Sequence, residues 1–499
     1  MNDSIPVRAI VDALRAAGLL VAAPEGGPHT VRGVADDSRR VTREGLFIAV
    51  RGSAQDGHRF IPAARDAGAA LVLAEDAAAA RGGPAIIVSD GRRAAPVAAA
   101  ACYGNPAALL TMVAVTGTNG KTTTVGILRH LFDGEAGQRS ASIGTLGVLF
   151  GSAGEPVDDG AGLTTPGPVD LQRILRELVD RGARLVAMEA SSHSLVQHRM
   201  EGLRFAAAVF TNFTRDHLDY HGSMEEYLAA KLSLVKHLAS DGIAVVNADD
   251  LAWKAVPATV RRLTFGLSAD ADVRAGGIVP QKVGTRFRIT RASSGEGADV
   301  STPLVGDFNV VNATGAVAAA LALGADLEDV AARLASAPQV AGRIERIGER
   351  PTVLRDYAHT PDALERALTA VRPFVAGRLI VVFGAGGDRD PGKRPQMGAA
   401  AARHADAIIV TSDNPRTEDP ERIIDAVAGG IPAGRYERIE DRRAAIERAI
   451  AIADPARDVV LLAGKGHETY QVRGKERLPF DEAAIVAEIL GRRRGAALG

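Results

Sequence analysis

Short apolar runs alternate with stretches of helical period along most of this chain, and a polar turn follows nearly every run. That alternation predicts α/β folding around mostly parallel sheets. Near the start, runs at 46–50, 70–74 and 85–88 read as strands, with alanine-rich helical stretches between and after them. The apolar patch at 16–23, preceded by Asp3, Arg8, Asp12 and Arg15, reads as a short surface helix rather than a secretory signal. The middle of the chain predicts strands at 112–115, 184–188 (ending on Glu189), 205–210 (ending on Thr211 and Asn212) and 243–246. After the first of these, Val125, Leu128 and Leu131 take the spacing of an amphipathic helix, and 223–238 reads as another helical stretch. From 271 to 302 an arginine-rich segment alternates polar and apolar residues, which predicts an antiparallel excursion. Asp307 then stands as N-cap of an alanine-rich helix.

The last third restarts the pattern with strands at 352–354, 379–383, 407–410 and 459–462. The loops after them, 356–360, 384–394, 411–416 and 464–468, are the polar ones. In open α/β sheets ligands bind outside the carboxyl ends of the strands, so these four loops are expected along one sheet edge.

At 499 residues the chain is too long for one core, and its length predicts about three domains. The junction at Tyr103-Gly104-Asn105-Pro106 marks the first boundary, giving 1–106, 107–341 and 342–499. A net charge of −1 offers no electrostatic case for binding nucleic acid or a membrane. No apolar run reaches the roughly 18–20 residues that span a bilayer. The single cysteine, Cys102, excludes an intramolecular disulfide and a cysteine-rich metal site, and reads as a small buried apolar residue in a reducing cytosol. A cytoplasmic protein is expected.

The chemistry centres on TMVAVTGTNGKTTT at 111–124: strand, glycine-rich turn, helix. This arrangement aims backbone N–H groups and a helix N-terminus at phosphates. Gly117 and Gly120 allow close approach, Lys121 reaches the outer phosphates, and the Thr122 hydroxyl suits Mg²⁺. The turn is shorter than the common GxxxxGK[ST] form, because Val115 occupies the first glycine position. A nucleoside triphosphate site follows. Around it fall Glu189 at a strand end, the run RDHLDYH (215–221) and Lys231 on a helical stretch. Carboxylate and neutral imidazole both bind divalent ions, though Mg²⁺ favours oxygen, and a lone His217 is more often a structural hydrogen-bonder. The prolines of LTTPGP (163–168) exclude helix interior and leave its hydroxyls for a ligand. Downstream, GGDR (386–389) and DNPR (413–416) set two guanidinium groups at neighbouring strand ends, suited to a carboxylate. With Asp413, Asn414 and Glu468 they suit either an amino acid or a surface salt-bridge network.

TGTNGKTTT, LTTPGP, EASSHSLVQHR, TNFTRDHLDYHGSMEEYLAAK, GDFNVVNATGA, GRIERI, DYAHTPDAL, GAGGDRDPGKRP, DNPR and AGKGHE occur in order over most of the chain. Together they resemble the Mur ligase family of ATP-dependent amino-acid-adding enzymes. The resemblance implies a small N-terminal α/β uridine-nucleotide domain, a central P-loop ATPase domain and a C-terminal Rossmann-like amino-acid domain. It implies addition of diaminopimelate to UDP-MurNAc-L-Ala-D-Glu, with ATP as co-substrate, Mg²⁺ and a monomeric chain. By position, Asp36, Ser38, Ser53, Ala54 and Gln55 would contact the uridine nucleotide. Gly117, Thr118, Asn119, Gly120, Lys121, Thr122 and Thr123 would hold ATP, with Asn309, Arg343, Asp356 and His359 in the interdomain ATP stretches. Thr164, Thr165, Ser191, Gln197 and Arg199 would grip the muramoyl-dipeptide. Thr122, Glu189 and His217 would place the metal, and Lys231 matches a lysine that the family carbamylates. Arg389, Asp413, Asn414, Pro415, Arg416, Gly464 and Glu468 would receive diaminopimelate, since DNPR marks that amino acid over lysine in the family. A folylpolyglutamate synthase or a lysine-adding ligase is the neighbouring alternative. A nucleotide-hydrolysing switch is the alternative of another class.

Overall fold

The computed structural model describes residues 4–52, 55–134, 139–158, 160–281 and 284–496, so Ser53 and Ala54 lie outside the described residues. The chain forms two compact units. One comprises Met1–Arg274, Thr290–Glu296 and Asn312–Arg333; the other comprises Ala275–Ile289, Gly297–Val311 and Leu334–Gly499.

In the first unit a small sheet orders the strands Leu20–Ala22, Ala85–Val88, Leu71–Ala74, Leu46–Ile48 and Val34–Ala35. Its four later strands are parallel, and Leu20–Ala22 runs antiparallel at the edge. The helix predicted at 16–23 is not there. The helix is Val7–Ala16, and 16–23 holds its last residue, a turn and the strand Leu20–Ala22. Gly18 at φ +68° stops it: its N–H reaches Arg15 O, while Leu19 N–H reaches Leu14 O.

A larger sheet runs Glu155–Asp158, Gly147–Phe150, Arg139–Gly144, Ala183–Glu189, Thr111–Thr116, Phe205–Phe210, Leu238–Asn247 and Arg262–Gly266. From Arg139–Gly144 onward it is parallel, with Glu189 level with Val115 and Phe210 level with Thr116. The segments after Thr116, Glu189 and Phe210 therefore leave the sheet at one edge. Met112 and Ala114 pack with Val186, Met188, Ala208 and Phe210 in a core beneath the helix Pro168–Asp180. The helical stretch at 223–238 resolves into a helix Met224–Leu232 and a 3-10 turn Ser233–His237, and Leu238 already begins the next strand.

In the second unit the strands Thr352–Asp356, Val459–Ala463, Leu379–Phe383, Ala407–Val410 and Glu437–Arg438 are parallel, with Glu345–Glu349 antiparallel at one edge. Alternate residues feed two cores. Leu379, Val381 and Phe383 pack with the helices Pro361–Val371, Lys393–His404 and Pro420–Ala428. Ile380 and Val382 pack with Arg442–Ile452 and Glu482–Ala496. The segment at 271–302 forms the strands Val273–Pro280, Thr285–Arg291 and Gly297–Thr302. Asp307 is the first residue of the helix Asp307–Ala322 rather than its cap; Gly306, at φ +96°, offers its carbonyl to the N–H groups of Asn309 and Val310. Among the described residues no helix is long and apolar enough to cross a membrane.

Candidate active site

The turn between Thr116 and Lys121 is fastened from outside. Thr118 N–H donates to Asn212 O (2.8 Å), Asn119 N–H to Asn212 Oδ1 (2.9 Å), and Thr211 Oγ1 to Asn119 O (2.7 Å). Two N–H groups that the turn was expected to aim at phosphate are thus held by Asn212. Gly117 (φ +150°) and Gly120 (φ +85°) are required by both conformation and space. A Cβ at Gly117 would overlap Thr211 Oγ1, and one at Gly120 would press into the Asn312 amide. Thr122 and Thr123 are buried on the first turn of the helix Lys121–Phe132.

Two lysines converge on this turn. Lys121 Nζ donates to Gly117 O (2.9 Å) and Thr118 O (2.8 Å), and Lys231 Nζ donates to the same Gly117 O (2.7 Å). Lys231 is 1% exposed, with its Nζ 4.4 Å from the centre of the Tyr227 ring. Burial, reinforced by the Lys121 charge, drives its pKa well below the ordinary lysine value. Tyr227 Oη meets Thr118 Oγ1 at 3.2 Å, so one side chain braces both Lys231 and the turn.

At the neighbouring strand end Glu189 is 1% exposed. Its carboxylate accepts from Thr145 N–H (2.8 Å) and Thr145 Oγ1 (3.1 Å). Thr145 Oγ1 also lies 3.3 Å from Thr164 Oγ1. Thr165 Oγ1 donates to Glu189 O (2.9 Å) and sits 3.2 Å from Ser191 Oγ, while Thr165 O accepts from Arg199 (2.7 Å). Arg199 also grips Gln197 Oε1, and Gln197 Nε2 donates to Tyr220 Oη (3.2 Å). His193 stands against Tyr220, with ring centres 4.1 Å apart, and within 4.9 and 5.5 Å of His217 and His221. Burial holds all three imidazoles below their usual pKa, so they are neutral near pH 7. His217 is half-exposed, with Nε2 3.4 Å from Asp216. His198 stays apart, paired with Glu201.

Asp36 lies beside this loop cluster: a Cβ on Gly167 would come within 3.9 Å of its carboxylate. The surrounding protein and the Asp170 carboxylate raise its pKa. Ser38 begins a 3-10 turn capped by Asp37, and Gln55 is exposed. Cys102 ends the helix Gly91–Cys102, where burial pushes its thiol up to about 12, which leaves it inert.

In the second unit the strand-end loops are bonded to one another. Asn414 Nδ2 donates to Glu468 Oε2 (2.9 Å), Gly387 N–H to Asn414 O (2.9 Å), Arg416 Nη1 to Gly387 O (2.7 Å) and Gly464 N–H to Asp356 O (3.0 Å). Pro415 is buried between them, and Gly464 at φ +117° leaves room for the Asp413 carboxylate. Arg389 is exposed at the rim, bonded to Asp388 O (3.3 Å). Asp356 accepts from Ile344 and Ala358 N–H (both 2.8 Å); burial raises its pKa against the opposing Arg343. Arg343 lies 4.8 Å over the Tyr357 ring, and His359 and His467 flank that ring at 4.7 and 5.6 Å. Asn309 is buried, donating to Val305 O.

Sequence reasoning missed Thr145, Tyr227, Lys465 and His467 as individual residues. A lysine between two glycines and a tyrosine one helical turn before Lys231 were the available signals. Thr145 carries none.

Three models match the chain: "Mur ligase family, catalytic domain" over 30–104, "Mur ligase middle domain" over 115–320, and "Mur ligase, glutamate ligase domain" over 342–466. The chain belongs to the Mur ligase family. Within it, the chain is 43% identical over 473 residues to the UDP-N-acetylmuramoyl-L-alanyl-D-glutamate–2,6-diaminopimelate ligase of Geobacillus kaustophilus, covering 92% of this chain and 95% of that one. It is 44% identical to the Gloeobacter violaceus protein of the same name, covering 93% and 94%. A solved structure of a ligase with that name superposes with a TM-score of 0.68 at 33% identity, covering 93% of this chain and 96% of that one.

Proposed function

We propose that this chain is an ATP-dependent ligase that joins diaminopimelate to the γ-carboxylate of the D-glutamyl residue of UDP-MurNAc-L-Ala-D-Glu, acting as a cytoplasmic monomer in peptidoglycan precursor synthesis. The observation that carries the reading is the loop set in which Asn414, Arg416, Gly464 and Glu468 are bonded into one polar edge. The second carboxylate of diaminopimelate, where lysine ends in an ammonium, pairs with Arg416. Three domains at 1–106, 107–341 and 342–499 divide the work, in keeping with the spans of the three family models. Asp36, Ser38, Ser53, Ala54 and Gln55 take the uridine nucleotide; Thr164, Thr165, Ser191, Gln197 and Arg199 take the muramoyl-dipeptide. Residues 117–123 hold ATP, with Asn309, Arg343 and Asp356 contributing from later in the chain.

A carboxylate is a poor electrophile, and amide formation in water is uphill. ATP converts the γ-carboxylate to an acyl phosphate and leaves as ADP. The amine then attacks the acyl carbon, the C–O bond to phosphate breaks, and the amine's proton departs. Lys121 neutralises charge on the transferring phosphoryl group. Among the described residues no three His, Cys, Asp or Glu form a metal cage, but Thr122 and Glu189 offer the hard oxygens that Mg²⁺ takes alongside a triphosphate. Thr122, Glu189 and His217 would hold Mg²⁺, which when bound would supply positive charge to the phosphate oxygens. Burial lowers the Lys231 pKa and so favours the neutral amine, which would attack CO₂, form an N–C bond and release a proton, giving an anionic carbamate. The test offers purified protein diaminopimelate, lysine and glutamate separately, with ATP and the nucleotide substrate. Diaminopimelate-dependent amide formation is expected; preference for lysine or glutamate overturns the reading.

A further inference from the structure

Lys465 has no place in the function above, yet it is the most enclosed cation of the amino-acid loops, with 0% of its side chain exposed. Its Nζ donates to Asn414 Oδ1 at 3.1 Å and lies 3.4 Å from Glu468 Oε2 and 3.7 Å from Asp413 Oδ1. The centre of the Tyr470 ring lies 6.0 Å from it. Asn414 Oδ1 also accepts Val472 N–H (2.9 Å) while its amide donates to Glu468, so the Asn414 side chain is fixed in one orientation. An unpaired buried ammonium is costly, and here two carboxylates and an amide oxygen compensate it.

The consequence is one of charge. Within 411–416 and 464–468, Asp413 and Glu468 contribute two negative charges and Lys465 and Arg416 two positive ones, while Arg389, at the exposed rim of the neighbouring loop, is accompanied by the Asp388 carboxylate. We propose that Lys465 is a specificity-determining positioning residue: its buried ammonium brings the Asp413–Glu468–Arg416 loops to zero net charge, matching an amino-acid terminus that carries both ammonium and carboxylate and disfavouring a bare ammonium. The distal end of diaminopimelate is such a zwitterion, whereas that of lysine carries a single positive charge. Complementary charge selects partners chiefly by penalising the wrong one. The inference rests on the diaminopimelate reading of these loops.

The test measures kcat/KM for diaminopimelate and for lysine across a set of variants of the full-length protein. Lys465→Met leaves one surplus negative charge, and the diaminopimelate-to-lysine ratio is expected to fall at least about tenfold. Lys465→Arg keeps the charge and the ratio. Asp413→Asn leaves one surplus positive charge, so its ratio rises, and Lys465→Met combined with Asp413→Asn returns toward the parent ratio. A merely structural lysine lowers both substrates together and gives no opposite signs. Equal losses on both substrates in Lys465→Met overturn the proposal. If that variant fails to fold, an unchanged or lowered ratio in Asp413→Asn overturns it instead. Parent protein that does not use diaminopimelate refutes the underlying function, a separate outcome.

Discussion

Replacing Gly120 by alanine tests the geometry of the phosphate turn at a single atom. Gly120 holds φ +85°, where an L-residue is strained by about 1–2 kcal/mol. The added Cβ would also stand 3.0 Å from Asn312 Cγ and 3.3 Å from Nδ2, and inside van der Waals contact of Oδ1. Asn312 is buried, so the clash cannot be relieved by swinging into solvent, and overpacking of this kind costs about 1–3 kcal/mol. The sum is about 2–5 kcal/mol, and its lower bound already corresponds to roughly a thirtyfold change in local opening. Because the chain has more than one compact unit, hydrogen exchange of the helix Lys121–Phe132 is the appropriate readout, with the KM for ATP measured in parallel. Gly120→Ala is expected to speed exchange there and raise the KM. Adding Asn312→Ala is expected to recover the steric part and leave the backbone part. Exchange and KM equal to those of the parent protein, or a double variant no better than the single one, would refute the reasoning.

Arg416→Ala loses a charge-assisted contact to a carboxylate, worth about 1.5–3 kcal/mol, so the KM for diaminopimelate rises at least about tenfold with little change for ATP; an unchanged KM removes Arg416 from the pocket. Lys231→Ala loses turnover and added bicarbonate does not restore it, whereas full activity dismisses the carbamate. His467 has its pKa lowered from 6.5 to about 4, chiefly by burial and then by Arg343 and Arg355. The unfolded chain therefore binds this proton first, and stability falls as pH drops from 6.5 towards 4. His467→Asn is expected to flatten that part of a stability-against-pH curve, and an unaltered slope contradicts the assignment.

The parallel character of the sheets and many strand positions were legible because buried parallel strands such as Phe205–Phe210 and Leu379–Phe383 are continuous apolar runs with polar turns behind them. The failures include the strands Arg139–Gly144, Gly147–Phe150, Glu155–Asp158 and Arg262–Gly266, which carry no long apolar run. The 16–23 patch is apolar enough for a helix, but Gly18 in the left-handed region ends the helix before it, which composition does not reveal. At the site, the pattern marked the polar loop residues proposed to face ligands and missed those that brace them. Asn212 takes two N–H groups of the phosphate turn, and Thr145 holds both oxygens of Glu189, through pairings across 93 and 44 residues of sequence. Lys465 was hidden for a related reason: its neighbours Asp413 and Asn414 arrive from another strand end.

The claim that an activated glutamyl carboxyl meets the incoming amine is tested most directly by isotope transfer. UDP-MurNAc-L-Ala-D-Glu labelled with ¹⁸O in the γ-carboxylate is turned over with ATP and diaminopimelate, and the released phosphate is examined by mass spectrometry. One labelled oxygen per phosphate is expected, because the acyl–oxygen bond breaks when the amine attacks. Amide product accompanied by unlabelled phosphate would contradict the account.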